Sequence, residues 1–305
     1  MQTFGIIGLG KLGLSIAVGL STQGRLAWTM NRSLEQRNAA KFQLPVSLPM
    51  YPTLGSIPHP ASCIILAVAD NAIEEVSAQL AAHFGSRLSD LVVMHCSGVK
   101  RRDALKACEE QGAITMSLHP YQTFAIATAK NFKDIPWGVE YPPVEPFRTI
   151  AEQFALDLVY TLGGTLVPLS EETLAHKPLY HASAVFSANY LNAVVGFAAL
   201  SAEQAGIDPQ EFLPQILRRA LDNAIVGLKQ LGTGKFPLTG PISRGDVDTL
   251  REHINNFRSL PNPMEILRPY CLIGIATAEF ACTQGVIDSM KCQAIIDLFE
   301  QALHP

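Results

Sequence analysis

The run Gly5-Ile6-Ile7-Gly8-Leu9-Gly10-Lys11-Leu12-Gly13 constrains this chain more than any other feature. An apolar strand enters a Gly-x-Gly-x-x-Gly turn, and the small-residue segment Leu14-Ser15-Ile16-Ala17-Val18-Gly19-Leu20 leaves it as a helix suited to packing on a sheet. The first glycine permits the tight turn. The second lets the backbone approach a pyrophosphate, and the third lets helix and strand pack closely. Gly8, Leu9, Gly10, Lys11, Leu12 and Gly13 therefore read as a dinucleotide cradle, with the pyrophosphate on free N–H groups at the helix N-terminus. The competing reading is a glycine-rich turn that binds nothing.

Strand-like and helix-like segments alternate through the first half. Leu26 to Met30 reads as a second strand, and Cys63 to Ala69 as a strand covered on both faces. Ala72 to Phe84 reads as a helix, Leu91 to His95 as a strand, Lys100 to Gly112 as a helix, and Ala113 to Leu118 as a strand. The Pro-rich segment from Ile135 to Pro146 reads as an edge strand with loops, Phe147 to Leu158 as a helix and Gly164 to Pro168 as strand-like. From Ser170 onward the pattern is helical. The expected fold is α/β: a doubly wound parallel sheet over residues 1–165, followed by an all-helical domain over 166–305.

A chain of 305 residues that is 48% apolar and 16% charged has material for two cores and little tendency to disorder. The net charge of −4, with basic residues scattered apart from Lys100-Arg101-Arg102, argues against nucleic acid as a partner. The six cysteines show no C-x-x-C spacing and read as reduced thiols of a cytoplasmic protein, with no metal site. A strand starting at residue 3 or 4 leaves no room for a signal peptide. Ala182 to Ala202 is the most membrane-like stretch, yet Asn189, Tyr190 and Asn192 make a buried core helix the better reading. Leu231-Gly232-Thr233-Gly234-Lys235 is no Walker loop, because no glycine stands five residues before Gly234.

About 20 residues after the glycine turn, where an acid would hold an NAD ribose, stand Asn31, Arg32 and Ser33. An arginine and a hydroxyl there suit a 2′-phosphate, so NADP(H) is the expected cofactor. A polar loop at a strand end is the plain alternative. Ligands of open α/β sheets bind beyond the carboxyl ends of the strands. Ala67, Val68 and Asp70 sit at one such end, beside the dinucleotide; Ser97 at the next; His119 and Gln122 at a third.

In the helical half, Lys177 and His181 are four apart, and Pro178 fits the first turn of a helix starting near Lys177. A Lys and a His beside a nicotinamide would polarise a carbonyl and donate its proton; a surface Lys with a core His is the alternative. Arg244 and Asp246 give a turn in which Asp246 caps the next helix, or a pair that meets a substrate carboxylate. The apolar spans from Pro269 to Phe280 and from Val286 to Leu303 suggest a homodimer built on the helical domain, unless that domain's own core covers them.

Gly8-Leu9-Gly10-Lys11-Leu12-Gly13, His119-Pro120-Tyr121-Gln122-Thr123-Phe124, Lys177-Pro178-Leu179-Tyr180-His181-Ala182, Ser187-Ala188-Asn189-Tyr190-Leu191 and Thr239-Gly240-Pro241 with Arg244-Gly245-Asp246 together resemble a two-domain family. It joins a Rossmann-like domain to an uncharacterised helical domain within the 6-phosphogluconate-dehydrogenase-like superfamily. The resemblance implies an NADP-dependent oxidoreductase, with Lys177 and His181 catalytic and with Ser97, His119, Gln122, Asn189, Arg244 and Asp246 on the substrate side. Ketopantoate reductases and hydroxyacid dehydrogenases of that superfamily have Asn where His181 stands. The His-Pro after the last strand is similar to that of prephenate dehydrogenases, and the Gly- and Thr-rich C-terminal signature of pyrroline-carboxylate reductases is missing. The expected reaction is hydride transfer between NADPH and the carbonyl of a small oxo or hydroxy acid, ketopantoate-like. An imine or deazaflavin-linked reductase and a non-catalytic NADP sensor are the alternatives.

Overall fold

The sequence pattern becomes a single eight-stranded sheet followed by a helical region. The computed structural model describes residues 2–128, 132–229 and 236–304, so the 231–235 segment lies outside the described residues. In chain order the elements are β1 (Phe4–Ile7), α1 (Lys11–Thr22), β2 (Leu26–Met30), α2 (Leu34–Lys41), β3 (Met50–Tyr51), β4 (Cys63–Leu66), α3 (Ile73–Phe84), β5 (Val92–His95), α4 (Lys106–Glu109), β6 (Ile114–Pro120), β7 (Pro136–Glu140), α5 (Phe147–Leu162) and β8 (Thr165–Pro168). There follow α6 (Glu171–Ala175), α7 (Lys177–Ala184), a π-helical segment (Val185–Tyr190), α8 (Leu191–Gln204), α9 (Pro209–Lys229), α10 (Pro241–Arg244), α11 (Val247–Arg258), α12 (Met264–Thr283) and α13 (Ser289–Leu303).

The strand order is β3-β2-β1-β4-β5-β6-β7-β8. Its first six strands have the order 3-2-1-4-5-6 of a dinucleotide-binding sheet, with the topological switch between β1 and β4. Alternate residues of each strand feed opposite faces. Phe4, Ile6, Cys63, Ile65, Val92 and Met94 pack with Ile16, Ala17 and Leu158 on one face. Ile7, Ile64, Leu66 and Val93 pack with Ile73, Leu80 and Leu105 on the other.

Two elements depart from the expectation. β7 runs antiparallel to β6 and is internal, because β8 pairs parallel to its other side. The helix expected from Lys100 to Gly112 is a 3-10 turn (Arg102–Leu105) running into the short α4. Its start is held back because Arg101 is extended and the Arg102 N–H donates to Glu140 Oε2 at 2.9 Å.

The chain divides into compact units of residues 1–188 and 189–305. The boundary expected near residue 165 falls at the start of β8, and the first unit continues through α7, whose Lys177 side chain is buried on the sheet. In the second unit, Leu250, Ile254, Leu267, Cys271, Ile295 and Phe299 of α11, α12 and α13 share one core. The spans expected to need an outside partner therefore largely cover each other. The opposite correction applies to Ala182 to Ala202. Among the described residues, Lys177–Gln204 and Met264–Thr283 are the two helices long and apolar enough to cross a membrane, and the apolar window of the first is 0% buried. It is not a core helix of this chain: among α8 residues only Ala202 is buried. All six cysteines are free, and all but Cys282 are buried.

Candidate functional site

The glycine turn is built for close approach. Gly8 sits at φ +98°, a conformation that side chains resist, and a Cβ there would overlap the Ala67 carbonyl. A Cβ at Gly13 would overlap the Gly8 carbonyl oxygen. Gly10 is different: its φ of −66° suits any residue, and a Cβ there would have no heavy atom within 4 Å. Gly10 is also the N-cap of α1, so the N–H groups of Lys11, Leu12 and Gly13 lack intrahelical acceptors. A cavity of about 280 Å³ opens at this turn. Gly8, Leu9, Gly10, Asn31, Arg32, Ala67 and Val68 line it; Lys11, Leu12, Gly13, Ser33 and Asp70 do not.

The Asn31-Arg32-Ser33 corner is preorganised by α2. The Ser33 hydroxyl caps that helix, accepting from Gln36 N at 3.2 Å. Asn31 Nδ2 donates to Gln36 Oε1 at 2.6 Å, and its Oδ1 accepts from Ser33 N at 3.1 Å. Arg37 Nη1 donates to the carbonyls of Asn31 and Arg32, at 2.5 and 2.9 Å. Arg32 itself is exposed at the cavity rim. Arg37, one helical turn on, is a second guanidinium at this corner that the sequence reading missed.

The other polar strand ends meet on the α3 side of the sheet. β5, β6 and β7 are in register at His95, Ser117 and Glu140, which form a row across three strands. Lys177 of α7 covers this row and is 1% exposed. Its Nζ donates to Ser117 Oγ at 2.7 Å and to the Lys100 carbonyl, and lies 3.7 Å from Glu140 Oε2. Glu140 also accepts from Arg101 Nε at 2.8 Å. Burial lowers the Lys177 ammonium to about 8, against the opposing pull of Glu140. His95 donates from Nε2 to the Arg101 carbonyl (3.0 Å) and accepts at Nδ1 from Ser97 N (3.2 Å), the pattern of a neutral ring; burial lowers it to about 4.

Two residue pairs further up the strands, on the same face, His119 stands opposite Gly138. Its Nδ1 is 2.9 Å from the Tyr180 hydroxyl, which occupies the space a Gly138 Cβ would fill at 2.7 Å. Gly98 makes similar room: a Cβ there would lie 2.9 Å from His119 Nε2 and 2.5 Å from His181 Nδ1. The two rings are edge-on at 5.8 Å. His181 Nδ1 is buried without a hydrogen-bond partner. Lys177, Tyr180 and His181, at i, i+3 and i+4, thus share the face of α7 that packs on the sheet. Tyr121 stacks against Tyr180 at 5.0 Å and bonds Ser183 Oγ at 2.5 Å.

His119 and His181 are thus brought together, with Lys177 beneath them. Ser97 adjoins Gly98, which faces both rings, but has another task. It is 5% exposed, and its Oγ accepts from Val99 N (3.1 Å) and Lys100 N (2.9 Å), holding the turn. Gln122 is exposed and accepts from Thr123 N at 2.8 Å. Asn189, Arg244 and Asp246 belong to the second unit. Asp246 caps α11 through Thr249 N at 3.1 Å and Thr249 Oγ1 at 2.8 Å, and Arg244 lies 3.9 Å from it with its side chain 64% exposed. Sequence reading missed Glu140 and Ser117. For Ser117 the signal was present, since β6 alternates Ile114, Met116 and Leu118 with Thr115, Ser117 and His119.

Residues 2–120 match the model of a Rossmann-like domain, and residues 144–277 match a domain of unknown function (DUF2520). The chain thus carries a Rossmann-like domain followed by a second, helical domain. More narrowly, that second domain is the one matched by DUF2520. No curated protein matches the sequence. Among solved structures, a putative NADP oxidoreductase from Bacteroides fragilis is similar at 21% identity over 89% of this chain and 96% of that one, with a TM-score of 0.70. A reductive aminase from Aspergillus terreus, in complex with NADPH and ethyl-5-oxohexanoate, is similar at 16% identity over 99% and 94%, with a TM-score of 0.58. A pyrroline-5-carboxylate reductase from Coxiella burnetii is similar at 17% over 99% and 97%, with a TM-score of 0.51. At these identities the likeness is one of fold.

Proposed function

We propose that this chain is an NADP(H)-dependent reductase that adds hydride to the carbonyl carbon of a small oxo acid, ketopantoate-like. One observation carries the cofactor reading. Gly8 and Gly13 are required by packing, but nothing among the described residues requires Gly10. Its bare backbone faces open space at a helix N-terminus, as a pyrophosphate needs. The nucleotide would lie along Gly8 to Gly13 and beside Ala67 and Val68, with a 2′-phosphate on Arg32. Arg37 and Ser33 hold that corner in shape. Bound reduced nicotinamide supplies the hydride.

His119 and His181 are the groups proposed to face the substrate. Lys177, the proton donor suggested by resemblance, already donates hydrogen bonds to the Ser117 hydroxyl and the Lys100 carbonyl. We therefore assign it to anchoring α7, which orients His181. Asn189 and Arg244 are not needed for this reading. Free buried thiols support a cytoplasmic location, and a second copy of the chain is the proposed cover for α8 and α9.

The test is NADPH oxidation against a panel of oxo acids and cyclic imines, with NADPH binding measured separately. Turnover of an oxo acid supports the proposal. The second reading, a C=N reductase, is favoured by the likeness to a reductive aminase and a pyrroline-5-carboxylate reductase, and turnover of imines alone would replace the first. NADPH binding without turnover of any panel member would point to a sensor.

A further inference from the structure

We propose that His119 acts as a neutral imidazole whose Nε2–H donates to the substrate atom that gains electron density, and that Tyr180 positions it by donating its hydroxyl proton to Nδ1. This rests on the reductase reading above and names the donor in that site. The argument begins with the phenol. The Tyr180 hydroxyl has one hydrogen-bond partner among the described residues, His119 Nδ1 at 2.9 Å. Burial raises the Tyr180 hydroxyl well above the ordinary tyrosine range, so it keeps its proton. That proton satisfies Nδ1, and the single proton of a neutral ring then sits on Nε2. The ring is neutral because burial, with His181, Lys177 and His95 nearby, lowers it to about 3.

Two missing side chains make the arrangement possible. Gly138 admits the phenol oxygen, and Gly98 admits the His119 Nε2 edge. Nε2 has no partner among the described residues, and His119 keeps 9% of its surface accessible. Nε2 is not among the buried atoms that lack a partner, so this N–H is open to solvent or to an acceptor on a ligand. Hydride addition to a carbonyl forms a C–H bond and moves the π pair to oxygen. Nε2–H would hold that oxyanion by hydrogen bonding, and solvent would supply the final proton, so the imidazole gives none up. Such a donor suits a carbonyl oxygen or the lone pair of a neutral imine. It does not suit an iminium nitrogen, which has no lone pair to accept with.

The experiment has two arms. In the first, the full-length protein with 15N-labelled histidine is examined by long-range 1H–15N NMR near pH 7, with the His119 signals assigned by their loss in His119→Gln. The expected result is a pyrrole-like Nε2 and a pyridine-like Nδ1, the latter shifting in Tyr180→Phe. A pyrrole-like Nδ1 or a doubly protonated ring would overturn the proposal. This arm needs no substrate, so it stands apart from the reductase reading, which fails if wild-type protein neither binds nor oxidises NADPH.

The second arm uses the oxo acid that gives turnover. His119→Ala should lower kcat by ~10²–10³-fold, the usual loss of an oxyanion donor. His119→Gln, whose amide can still donate from the Nε2 position, should recover at least about ten-fold of that loss. Tyr180→Phe should lower kcat about ten-fold with NADPH affinity unchanged. Equal loss in His119→Gln and His119→Ala would make His119 a proton-transfer group and overturn the donor role. An unchanged kcat in Tyr180→Phe would remove Tyr180 from it.

Discussion

At the scale of single residues, two cations carry different kinds of consequence. Arg32 is exposed at the rim of the glycine-turn cavity. As a phosphate partner it acts only on the cofactor that carries a 2′-phosphate. Arg32→Ala should weaken NADPH by ~1.5–3 kcal/mol and leave NADH within about 0.5 kcal/mol; titration calorimetry with both nucleotides checks this, and equal weakening would reject the assignment. Lys177 is buried, and its ammonium titrates near 8 in place of 10.5. Below pH 8 it is charged in folded and unfolded chain alike, and its burial counts fully against the fold. Between pH 8 and 10.5 only the unfolded chain holds the proton, so this residue's contribution to stability rises with pH. Relative to Lys177→Met, wild-type protein should therefore gain up to about 3 kcal/mol across that window, since thiols and phenols titrate alike in both. Urea unfolding of the two proteins at several pH values reads the difference. A flat difference would mean the ammonium is not desolvated.

At the scale of elements, the turn between β1 and α1 separates what folding needs from what binding needs. Gly13→Ala puts a methyl group into the Gly8 carbonyl, so backbone must move; a loss of ~1–3 kcal/mol is expected, as for overpacking. Gly10→Ala puts the same group into open space. Its melting temperature should stay near that of wild type while NADPH binding falls about ten-fold or more. Unimpaired NADPH binding in a folded Gly10→Ala protein would remove the pyrophosphate from this turn. The turn was legible in the sequence because three glycines at fixed spacing leave a local trace. So was the Asp246 cap, which depends on residues only three apart. The strand of β7 was legible but not its internal place, which depends on pairing with β8, and the late start of α4 was not, because it depends on Glu140. It binds Arg101 and the Arg102 backbone some forty positions away in the chain, and no local pattern reports that pairing. Lys177 was found by spacing but given the wrong neighbours for the same reason. Its partners Lys100, Ser117 and Glu140 come from three separate segments of the sheet domain.

At the scale of the whole molecule, the proposed dimer must be argued from surfaces other than those the sequence suggested. α12 and α13 bury Leu267, Cys271, Ala278, Ile295 and Phe299 together and need little from outside. Most of the uncovered apolar surface in this unit lies on α8 and α9, with a smaller share on α12 at Leu272, Ile273 and Phe280. Along α9, Leu221, Ile225 and Leu228 stand 52%, 44% and 60% exposed, with Phe212 and Ile216 at 58% and 65%. On α8, Leu191, Val194 and Leu200 are 40% exposed or more. Patches of this kind on adjacent helices mark a surface that is covered in the working molecule. A second copy presents the same apolar helices and would bury them by symmetry, in an isologous interface. Sedimentation at micromolar concentration should therefore give twice the 33.1 kDa mass of the chain. Leu221→Glu with Ile225→Glu should yield monomer, since each buried charge costs several kcal/mol at such a contact, while NADPH binding on the other unit persists. A wild-type monomer would refute the dimer, and if that monomer floated with lipid vesicles the same helices would be covered by a membrane instead.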